Sequence, residues 1–395
     1  MVALEHRIDG CCCADDRLEG KYNKGFYFAS ENVTLCLTGL VQADARFFSD
    51  WHVRDNDFYI RRARIIMSGT LYQDWAYRFY EAFEGSSAKL YEAWLEYRGF
   101  PCVWLRVGQY RQPFSMEAMY SAKWIRFIER AMGPTNLAPF EDIGFQISGK
   151  PWCEKVEYAV SVFNGQGKNK GDIDSDKDVT ARIVLQPFRD CVCSWFEDLR
   201  FGMSLATGRE SKVLEGETYT TAAGTPFLMF SPWVFQDGAH SRAGIELEWL
   251  CGPFGLQSES LISRRVGVQD FINRETMDCR AWYIAASYVL TGEKQQHNKA
   301  LIPCCNFDPC CCHWGAWEVG IRYEEFETDE NVFRAGLVSG SERVTAWTGG
   351  LTWWPNPHVK VMGNFVHTNF NQTIIINGRL MDQENAFLCQ FQYCF

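Results

Sequence analysis

The interpretation of this chain depends on residues 104–130, WLRVGQYRQPFSMEAMYSAKWIRFIER. The segment begins as a β-strand, since apolar residues alternate with others at a period of two. Pro113 ends that strand, because proline cannot donate to a β-ladder. Residues 116–132 are then aromatic and basic, and alternation resumes only at Asp142. So long a connection is usually functional. In a barrel it is expected to fold into the lumen as a constriction; the alternative is an amphipathic helix that caps a soluble sheet.

The composition restricts the class of protein. The chain has 395 residues and 47% hydrophobic residues, yet no run of about 18 apolar residues that would predict a transmembrane helix. Its first residues lack the apolar core of a secretory signal, so an exported protein is expected here in a mature or truncated form. Fifteen tryptophans suit a molecule with two lipid–water interfaces. The net charge of −10 argues against nucleic acid as a partner.

An alternating unit of about ten residues, followed by a turn or loop, recurs from Val33 onward and is typical of transmembrane β-barrels. A soluble β-sandwich also alternates. The even number of units, the alternation of short and long connections and the aromatic face of the last strand favour the barrel. The sixteen predicted strands are 33–47, 58–71, 75–84, 90–98, 103–111, 142–149, 156–164, 179–188, 199–207, 241–250, 254–266, 280–291, 316–326, 344–354, 358–370 and 386–395.

The sequence thus predicts an all-β protein, a transmembrane antiparallel β-barrel of about sixteen strands over 25–395. Its third loop, about 112–141, is expected inside the lumen, and 1–24 is expected to be a cysteine-bearing periplasmic tail. Short connections are expected to face the periplasm and long ones the outside. The aromatic end of the chain, Phe395, resembles the signal that outer-membrane assembly machinery recognises. The predicted location is therefore the outer membrane of a Gram-negative-type envelope.

Seventeen cysteines are unusual, and most lie in the tail or in connections expected to face the oxidising periplasm. Adjacent cysteines rarely bridge each other, so disulfides to other chains are the hypothesis. Zinc is the alternative, but matched CxxC pairs are missing and only His313 beside Cys312 leaves a metal site open. No metal or other cofactor is predicted. The disulfide candidates are Cys11, Cys12, Cys13, Cys191, Cys193, Cys304, Cys305, Cys310, Cys311 and Cys312.

Several motifs resemble those of the phosphate-selective porin O and P family. They occur in family order along nearly the whole chain: FYIRRAR at 58–64, GTLYQDW at 69–75, VGQYRQPFSME at 107–117, SAKW at 121–124, ER at 129–130, LTGE at 290–293, WGAWE at 314–318 and WWPNP at 353–357. The resemblance implies a trimeric sixteen-stranded barrel whose third loop narrows an anion-conducting pore.

The resemblance also assigns an arginine pair near the constriction to Arg61 and Arg62. Strict alternation sends these two side chains to opposite faces, so a β-bulge is needed for both to reach the lumen. Arginine suits the role because it stays charged and its fork matches oxyanions; an arginine merely solvated by lumen water is the alternative. The predicted pore or anion-binding residues are Arg61, Arg62, Arg64, Arg106, Arg111, Ser121, Lys123, Arg126 and Arg130.

Three departures from the family pattern leave the solute open. Ala118 stands where phosphate-selective members have a lysine, and Tyr91 where they have an acidic residue. The fifth loop, 215–235, has no Arg or Lys, although the family places a ladder of arginines there. Phosphate, polyphosphate-like anions and other small solutes therefore remain candidates. A cation preference is expected instead if lumen glutamates outweigh the arginines; these are Glu92, Glu246, Glu248, Glu318 and Glu324.

The predicted function is passive diffusion of small anions through an outer-membrane porin. The expected partners are the solute, membrane lipid and lipopolysaccharide, the other subunits of a homotrimer and disulfide-linked envelope proteins. An enzyme is not expected, because neither HExxH nor GxSxG occurs. The alternative function is a disulfide-cross-linked structural envelope protein with a general, weakly selective pore.

Overall fold

The computed structural model describes residues 19–22, 25–49, 55–85, 87–172, 175–190 and 195–395. None of the helices in these residues has the length and apolar character needed to cross a membrane. The helices are α1 Met116–Met119, α2 Met132–Leu137, α3 Pro151–Glu154 and α4 Glu330–Arg334, with a 3₁₀ turn at Pro309–Cys311. The strands are β1 Glu19–Tyr22, β2 Phe26–Ala29, β3 Val33–Phe48, β4 Asp57–Leu71, β5 Trp75–Ala82, β6 Lys89–Phe100, β7 Val103–Arg111, β8 Glu141–Gly149, β9 Val156–Phe163, β10 Asp178–Leu185, β11 Asp198–Val213, β12 Thr218–Thr220, β13 Pro226–Phe230, β14 Phe235–Cys251, β15 Phe254–Gln269, β16 Arg274–Val289, β17 Ala316–Thr328, β18 Val338–Gly340, β19 Arg343–Asn356, β20 Val359–Ile376 and β21 Arg379–Cys394.

A closed antiparallel barrel contains sixteen of the eighteen strands in the larger sheet, all but β1 and β2. Each barrel strand pairs with the next along the chain, and β21 pairs with β3 to close the cylinder. Strand β2 pairs with residues 34–37 of β3, beyond the part of that strand which β21 occupies. The predicted sixteen-stranded barrel is confirmed. Of the predicted tail, the structure describes Glu19–Tyr22, which forms β1 and pairs with β2.

The outer face of the barrel is apolar and the inner face is polar. On β14, Ile245 is 60% exposed, whereas its neighbours Glu246 and Glu248 are buried. A soluble sandwich would show the reverse, with its apolar face hidden in a core. The burial pattern therefore favours the transmembrane barrel over the soluble sandwich. The outward apolar residues form the lipid-facing surface of the barrel.

The hairpin of β20 and β21 is longer than the sequence indicates. The sequence predicts a long loop at residues 371–385, between the last two strands. Instead both strands continue to a two-residue turn at Asn377 and Gly378, which have φ values of 51° and 76°. Asn-Gly is the favoured pair for such a turn, since both positions need a positive φ. The pairing of β20 with β21 continues past the polar residues 371–373 through a register shift between Asn369 and Ile374.

Three connections fold into the lumen from the end of the barrel that carries the long loops, here called the long-loop end. They are loop 3 (112–140), loop 5 (214–234) and loop 7 (329–342). Strands β12, β13 and β18 of loops 5 and 7 form a small sheet. It joins loop 3 in an apolar cluster whose wall residues come from β11, β15–β17 and β19–β21. One side of the lumen is therefore filled, and the charged strands β3–β8 line the other.

A segment at the opposite, short-turn end also enters the lumen. We call residues 290–315, which connect β16 to β17, the short-turn arm. The Asn298 side chain accepts a hydrogen bond from the backbone N–H of Ser121 in loop 3, at 2.9 Å. Leu301 packs with Trp124 and Trp354. The arm therefore contacts loop 3 from below while its cysteines remain exposed.

Candidate pore constriction

A β-bulge in β4 brings two consecutive arginines to the lumen. Arg62 lies opposite Gln42 and Ile60 opposite Ala43, which leaves Arg61 as the extra residue. The Arg61 guanidinium donates to Glu129 of loop 3 at 2.7 Å, and Arg62 donates to the Gln42 side chain at 2.7 Å. Strict alternation would have sent one of them into lipid, so the bulge is what makes the arginine pair possible.

Five of the predicted pore arginines form ion pairs with carboxylates of the protein. Each pair places a guanidinium nitrogen within 3.0 Å of a carboxylate oxygen. Such close pairs cancel most of each other's field at a distance. The pairs are Arg61–Glu129, Arg64–Glu84, Arg106–Glu96, Arg111–Glu141 and Arg126–Glu318.

Three other predicted residues, Arg62, Lys123 and Arg130, form no ion pair with any described carboxylate. Arg130 donates to the carbonyl oxygens of Glu117 and Tyr120, both at 2.8 Å. Arg62 and Arg130 interact electrostatically with Glu129 without forming a close ion pair. The three residues therefore contribute positive potential at the constriction.

Lys360 belongs to the same group, but the sequence interpretation missed it. Its ammonium donates to the carbonyl oxygens of Lys123 and Ile125 at 3.1 and 3.2 Å, and no described carboxylate pairs with it. The alternation of β20, which places Lys360, Met362 and Asn364 on one face, was the signal that could have identified it.

Ser121 has a supporting position. Its hydroxyl accepts a hydrogen bond from the backbone N–H of Lys123 at 3.3 Å, while its own N–H is bound to the short-turn arm. The side chain therefore shapes the turn of loop 3 that precedes Lys123.

The first turn of loop 3 is held by a carboxyl group from the wall. Glu259 on β15 accepts hydrogen bonds from the Ser115 hydroxyl and from the N–H groups of Met116 and Glu117, at 2.6 to 2.8 Å. The Tyr283 hydroxyl donates to the same carboxylate. A carboxyl group at the first turn of α1 satisfies N–H groups that have no partner within the helix.

The titration of two loop 3 groups is shifted by their surroundings. Burial alone would raise the pKa of Glu129, but the cations Arg61, Arg62 and Arg46 lower it from 4.5 to about 2. Burial and the neighbouring Arg111 and Arg62 lower the pKa of Arg130. Glu129 is therefore ionised at neutral pH and remains paired with Arg61.

The departures from the family pattern have structural explanations. Ala118 is fully buried in the apolar cluster, so position 118 does not present a side chain to the pore. The ring of Tyr91 lies 4.4 Å from the Arg64 guanidinium carbon and 3.7 Å from the Lys168 ammonium. The ring face thus attracts cations where a carboxylate was expected. Loop 5 packs Phe227 and Leu228 into the apolar cluster, which explains why it contributes apolar residues instead of arginines.

The lumen glutamates that could oppose the arginines are themselves paired. Each of them contacts a basic side chain across the lumen or along the wall: Glu92 with Arg78, Glu246 with Arg182, Glu248 with His297, Glu318 with Arg126 and Glu324 with Arg322. Asp44, which is bound to Gln390, and Glu259, which is bound to loop 3, are without an ion pair among the described residues. The groups near loop 3 that lack an ion pair thus include four cations, Arg62, Lys123, Arg130 and Lys360, and these two carboxyl groups.

The predicted disulfide cysteines fall into two groups. Cys304, Cys305, Cys310, Cys311 and Cys312 are free and exposed on the short-turn arm. Cys11, Cys12, Cys13, Cys191 and Cys193 lie outside the described residues. Within the described ranges no cysteine is in a disulfide, and no group of three or more His, Cys, Asp or Glu side chains is placed to hold a metal ion.

A closed sixteen-stranded barrel with an apolar outer face, a polar lumen and an inward third loop is the architecture of a porin. The chain belongs to the family described as phosphate-selective porin O and P, which matches residues 36–395. It is therefore a channel protein of the outer membrane and not an enzyme.

The chain is similar to one relative in sequence and to solved structures in fold. The chain is 26% identical to Porin O of Pseudomonas aeruginosa, over 91% of this chain and 88% of that protein. Its fold is similar to that of OmpT of Vibrio cholerae, an outer membrane protein solved in a trimer form, with a TM-score of 0.58 and 12% identity over 92% of this chain and 100% of that one. It is also similar to the anion-selective porin from Comamonas acidovorans, with a TM-score of 0.57 and 10% identity over 92% and 100%.

Proposed function

We propose that the protein lets small anions diffuse through a constriction between loop 3 and strands β3–β8. The observation that supports this function is the balance of charge at loop 3. Arg62, Lys123, Arg130 and Lys360 have no carboxylate partner among the described residues, whereas four of the five lumen glutamates expected to oppose them are paired with arginine and Glu248 is hydrogen bonded to His297. An anion that enters the neck therefore meets a positive potential, strengthened by the low dielectric of the wall.

Selection in such a pore is electrostatic and weak at each site. Passage requires that anions bind well enough to enter and loosely enough to leave. The paired arginines, such as Arg61 and Arg106, contribute a donor-rich lining with little net charge, while the unpaired cations set the sign of the potential. We therefore expect a moderate preference for anions, with inorganic phosphate among the permeant solutes, as the family description suggests.

The direct test is the reversal potential of the purified protein in a planar bilayer under a potassium chloride gradient. A potential of the sign given by chloride permeation, followed by partial block when phosphate is added, is the expected result. Chloride preference without block would restrict the function to general anion diffusion. A potential of the opposite sign would overturn the proposal.

A pair of matched variants connects that measurement to the constriction. Arg62→Gln removes an unpaired lumen cation and should shift the reversal potential toward zero. Arg264→Gln removes a cation whose side chain is 65% exposed and whose neighbour Arg265 is the one that faces inward. Equal shifts in the two variants would show that selectivity does not originate at the neck.

The assembly proposed for the protein is a homotrimer embedded in lipid and lipopolysaccharide. The family resemblance and the trimer form of the related OmpT fold support it. The outward apolar faces of the strands supply the surfaces that lipid and neighbouring subunits would cover.

A second function, covalent anchoring in the envelope, is favoured by the short-turn arm. Its five cysteines are exposed together at the end of the barrel that would face the oxidising periplasm. Disulfides to other envelope proteins would hold the barrel in a cross-linked layer. Intact cells alkylated before lysis should then give high-molecular-weight bands on non-reducing gels that collapse to monomer with reductant. A monomer band alone under both conditions would rule out this function.

A further inference from the structure

The short-turn arm begins and ends at glycine turns. Gly292 and Gly315 have φ values of 94° and 67°, which residues with a side chain rarely adopt. A Cβ at Gly292 would meet no other atom within 4 Å, whereas one at Gly315 would lie 2.3 Å from the Trp354 carbonyl oxygen. Turns of this kind, at the ends of an element, can absorb a change in the direction of the chain. The arm is therefore built to rotate as a unit about its two ends.

The part of the arm inside the lumen, residues 295–302, is here called the inner segment. Only two of its side chains, those of Gln295 and Leu301, are buried. The neighbouring Ile302 is 47% exposed. Burial of apolar surface is the main term that holds a segment against its surroundings. The inner segment therefore loses little apolar contact when it leaves the lumen.

The contacts of the inner segment with loop 3 are mostly polar. The Asn298 side chain accepts from the N–H of Ser121 at 2.9 Å, and a ring nitrogen of His297 lies 3.1 Å from the Tyr120 hydroxyl. His297 is also hydrogen bonded to Glu248 on β14. Because water can replace such bonds, each contributes only modestly to the closed position. These contacts fix the arm without locking it.

Two cavities border the inner segment. One lies between the segment, loop 3 and the wall, and the other between the segment and the end of the chain at Phe395. At the first cavity, the indole Nε1 of Trp354 and the Nε of Arg126 are buried without a hydrogen-bond partner. Protein interiors are normally close-packed and their buried donors satisfied. The inner segment is therefore loosely packed on two sides.

The outer part of the arm, residues 304–312, supplies a point of attachment. All five of its cysteines are exposed. Cys304 is three residues from Leu301, a length of chain that spans at most about 11 Å. The Asp308 side chain accepts from the N–H groups of Cys310 and Cys311, which orders the turn that presents the other thiols. A group bound to these cysteines therefore acts directly on the inner segment.

We propose that the short-turn arm is a hinged plug, and that a covalent link through its cysteines withdraws it and opens the lower end of the pore. In the envelope, a thiolate of the arm would attack a disulfide of a neighbouring protein. It would form a mixed disulfide with one sulfur and release the other as a thiolate. The inference rests on the proposed conduction, and not on which protein the arm is linked to. Anchored barrels would then conduct more than free ones.

The test attaches a bulky polymer to the arm and measures single-channel conductance in a planar bilayer. An arm variant keeps the five arm cysteines and carries Cys102→Ser and Cys153→Ser, which remove exposed thiols on other short turns. A rim variant keeps Cys102 and Cys153 and replaces the five arm cysteines with serine. Both variants also carry serine in place of the cysteines outside the described residues, Cys11, Cys12, Cys13, Cys191 and Cys193. Each is reacted with a maleimide-linked polyethylene glycol, to which the thiols add.

The polymer should withdraw the plug because it cannot enter the lumen with the arm. Loop 3 and the arm obstruct the pore in series, so withdrawal of one should raise the mean conductance of the arm variant by about twofold. N-ethylmaleimide, a small adduct, and the polymer on the rim variant should leave the conductance unchanged. An unchanged or lower conductance in the arm variant would overturn the proposal. So would an equal rise with N-ethylmaleimide or in the rim variant.

Amide hydrogen exchange gives a readout that does not depend on conduction. The N–H of Ser121 is bound to Asn298, so its exchange in the arm variant should become several-fold faster once the polymer is attached. The N–H groups of Met116 and Glu117, bound to Glu259 of the wall, are the internal control and should exchange as before. Unchanged exchange at Ser121 would overturn the plug. Absence of conductance in the unlabelled protein would instead refute the proposed pore function.

Discussion

Glu129 is a loop 3 carboxylate that pairs with two arginines of the neck. It accepts from both Arg61 and Arg46, at 2.7 and 3.1 Å. Two guanidinium groups are thus partly neutralised by a single loop 3 carboxylate. Its position explains how an arginine-rich neck can have a modest net charge.

Replacement of Glu129 by glutamine should strengthen the preference for anions. The substitution leaves Arg61 and Arg46 in place and removes the charge that neutralises them, so the potential in the neck becomes more positive. The chloride-to-potassium permeability ratio, obtained from the reversal potential, should rise severalfold. Glu325→Gln, which removes an outward-facing carboxylate bound to Arg343, is the control and should not change the ratio.

The effect of Glu129 should persist in mild acid. Its pKa in the folded protein is about 2, below the ordinary value of 4.5, so the carboxylate stays ionised as the pH falls from 7 to 4. The pair stabilises the folded state above pH 4.5 and loses that contribution as the pH approaches 2. The difference in reversal potential between wild type and Glu129→Gln should therefore be constant from pH 7 to pH 4. A difference that disappears near pH 5 would mean that Glu129 titrates normally.

Among the elements, loop 3 begins with a turn, α1, that is bound by one distant carboxyl group. Glu259 lies more than 140 residues further along the chain, and its carboxylate receives three hydrogen bonds from the first turn of α1. The Ser115–Glu117 segment is buried, and its other contacts with the wall, Ser115 to Ser204 at 3.4 Å and Glu117 to Arg322 at 3.8 Å, are longer. This first turn of the loop should therefore lose its fixed position when the Glu259 carboxyl group is altered.

Glu259→Gln should make the constriction wider and less steady. Glutamine retains one acceptor oxygen but presents an amide N–H₂ to donors of loop 3, at a cost of about 2 kcal/mol or more. Single-channel recordings should show higher mean conductance and greater open-channel noise than wild type. Ser260→Ala changes the adjacent, outward-facing residue and is the matched control. Unchanged conductance and noise in Glu259→Gln would show that other contacts suffice to hold the loop.

The strands were predictable from the sequence, whereas the contacts of the loops were not. Alternation is local, so each wall strand could be recognised from its own residues. Glu259 appears in that alternation as one more inward polar residue, and nothing nearby indicates that it binds Ser115. The inward course of the short-turn arm and the sheet of loops 5 and 7 likewise depend on contacts between distant segments. Arg61 reaches the lumen only because a β-bulge interrupts the alternation of β4, and the alternating sequence pattern gives no sign of that bulge.

At the scale of the whole molecule, Phe395 extends the β21–β3 pairing that closes the barrel. The N–H of Gly39 donates to the carbonyl oxygen of Phe395 at 2.9 Å, and the N–H of Phe395 donates to Gly39 at 3.3 Å. The Phe395 ring also meets that of Phe26 edge to face, with 6.1 Å between centroids. First and last strands are thus joined at the short-turn end next to β2.

A methyl group at position 39 should weaken this closure. The Cβ of Gly39→Ala would lie 2.2 Å from the Phe395 ring, so the ring must move, at a cost of about 1–3 kcal/mol. Unheated gel samples should lose the compact barrel form at a lower temperature than wild type. Gly363→Ala is the control, because its Cβ would meet the Phe387 ring at an ordinary 3.6 Å. Equal melting of both variants would argue against a role for Phe395 in closure.

The five guanidinium–carboxylate pairs of the lumen also bear on how the specificity of this protein can evolve. Each paired arginine is already packed and hydrogen bonded, so a stronger anion channel does not require a new cation to be accommodated. Loss of one acidic partner, such as Glu84, Glu96 or Glu129, leaves the positive charge of an arginine that is already packed in the fold without its counter-ion. A single substitution can therefore convert this barrel into a more selective channel. The reverse substitution would restore its broad permeability.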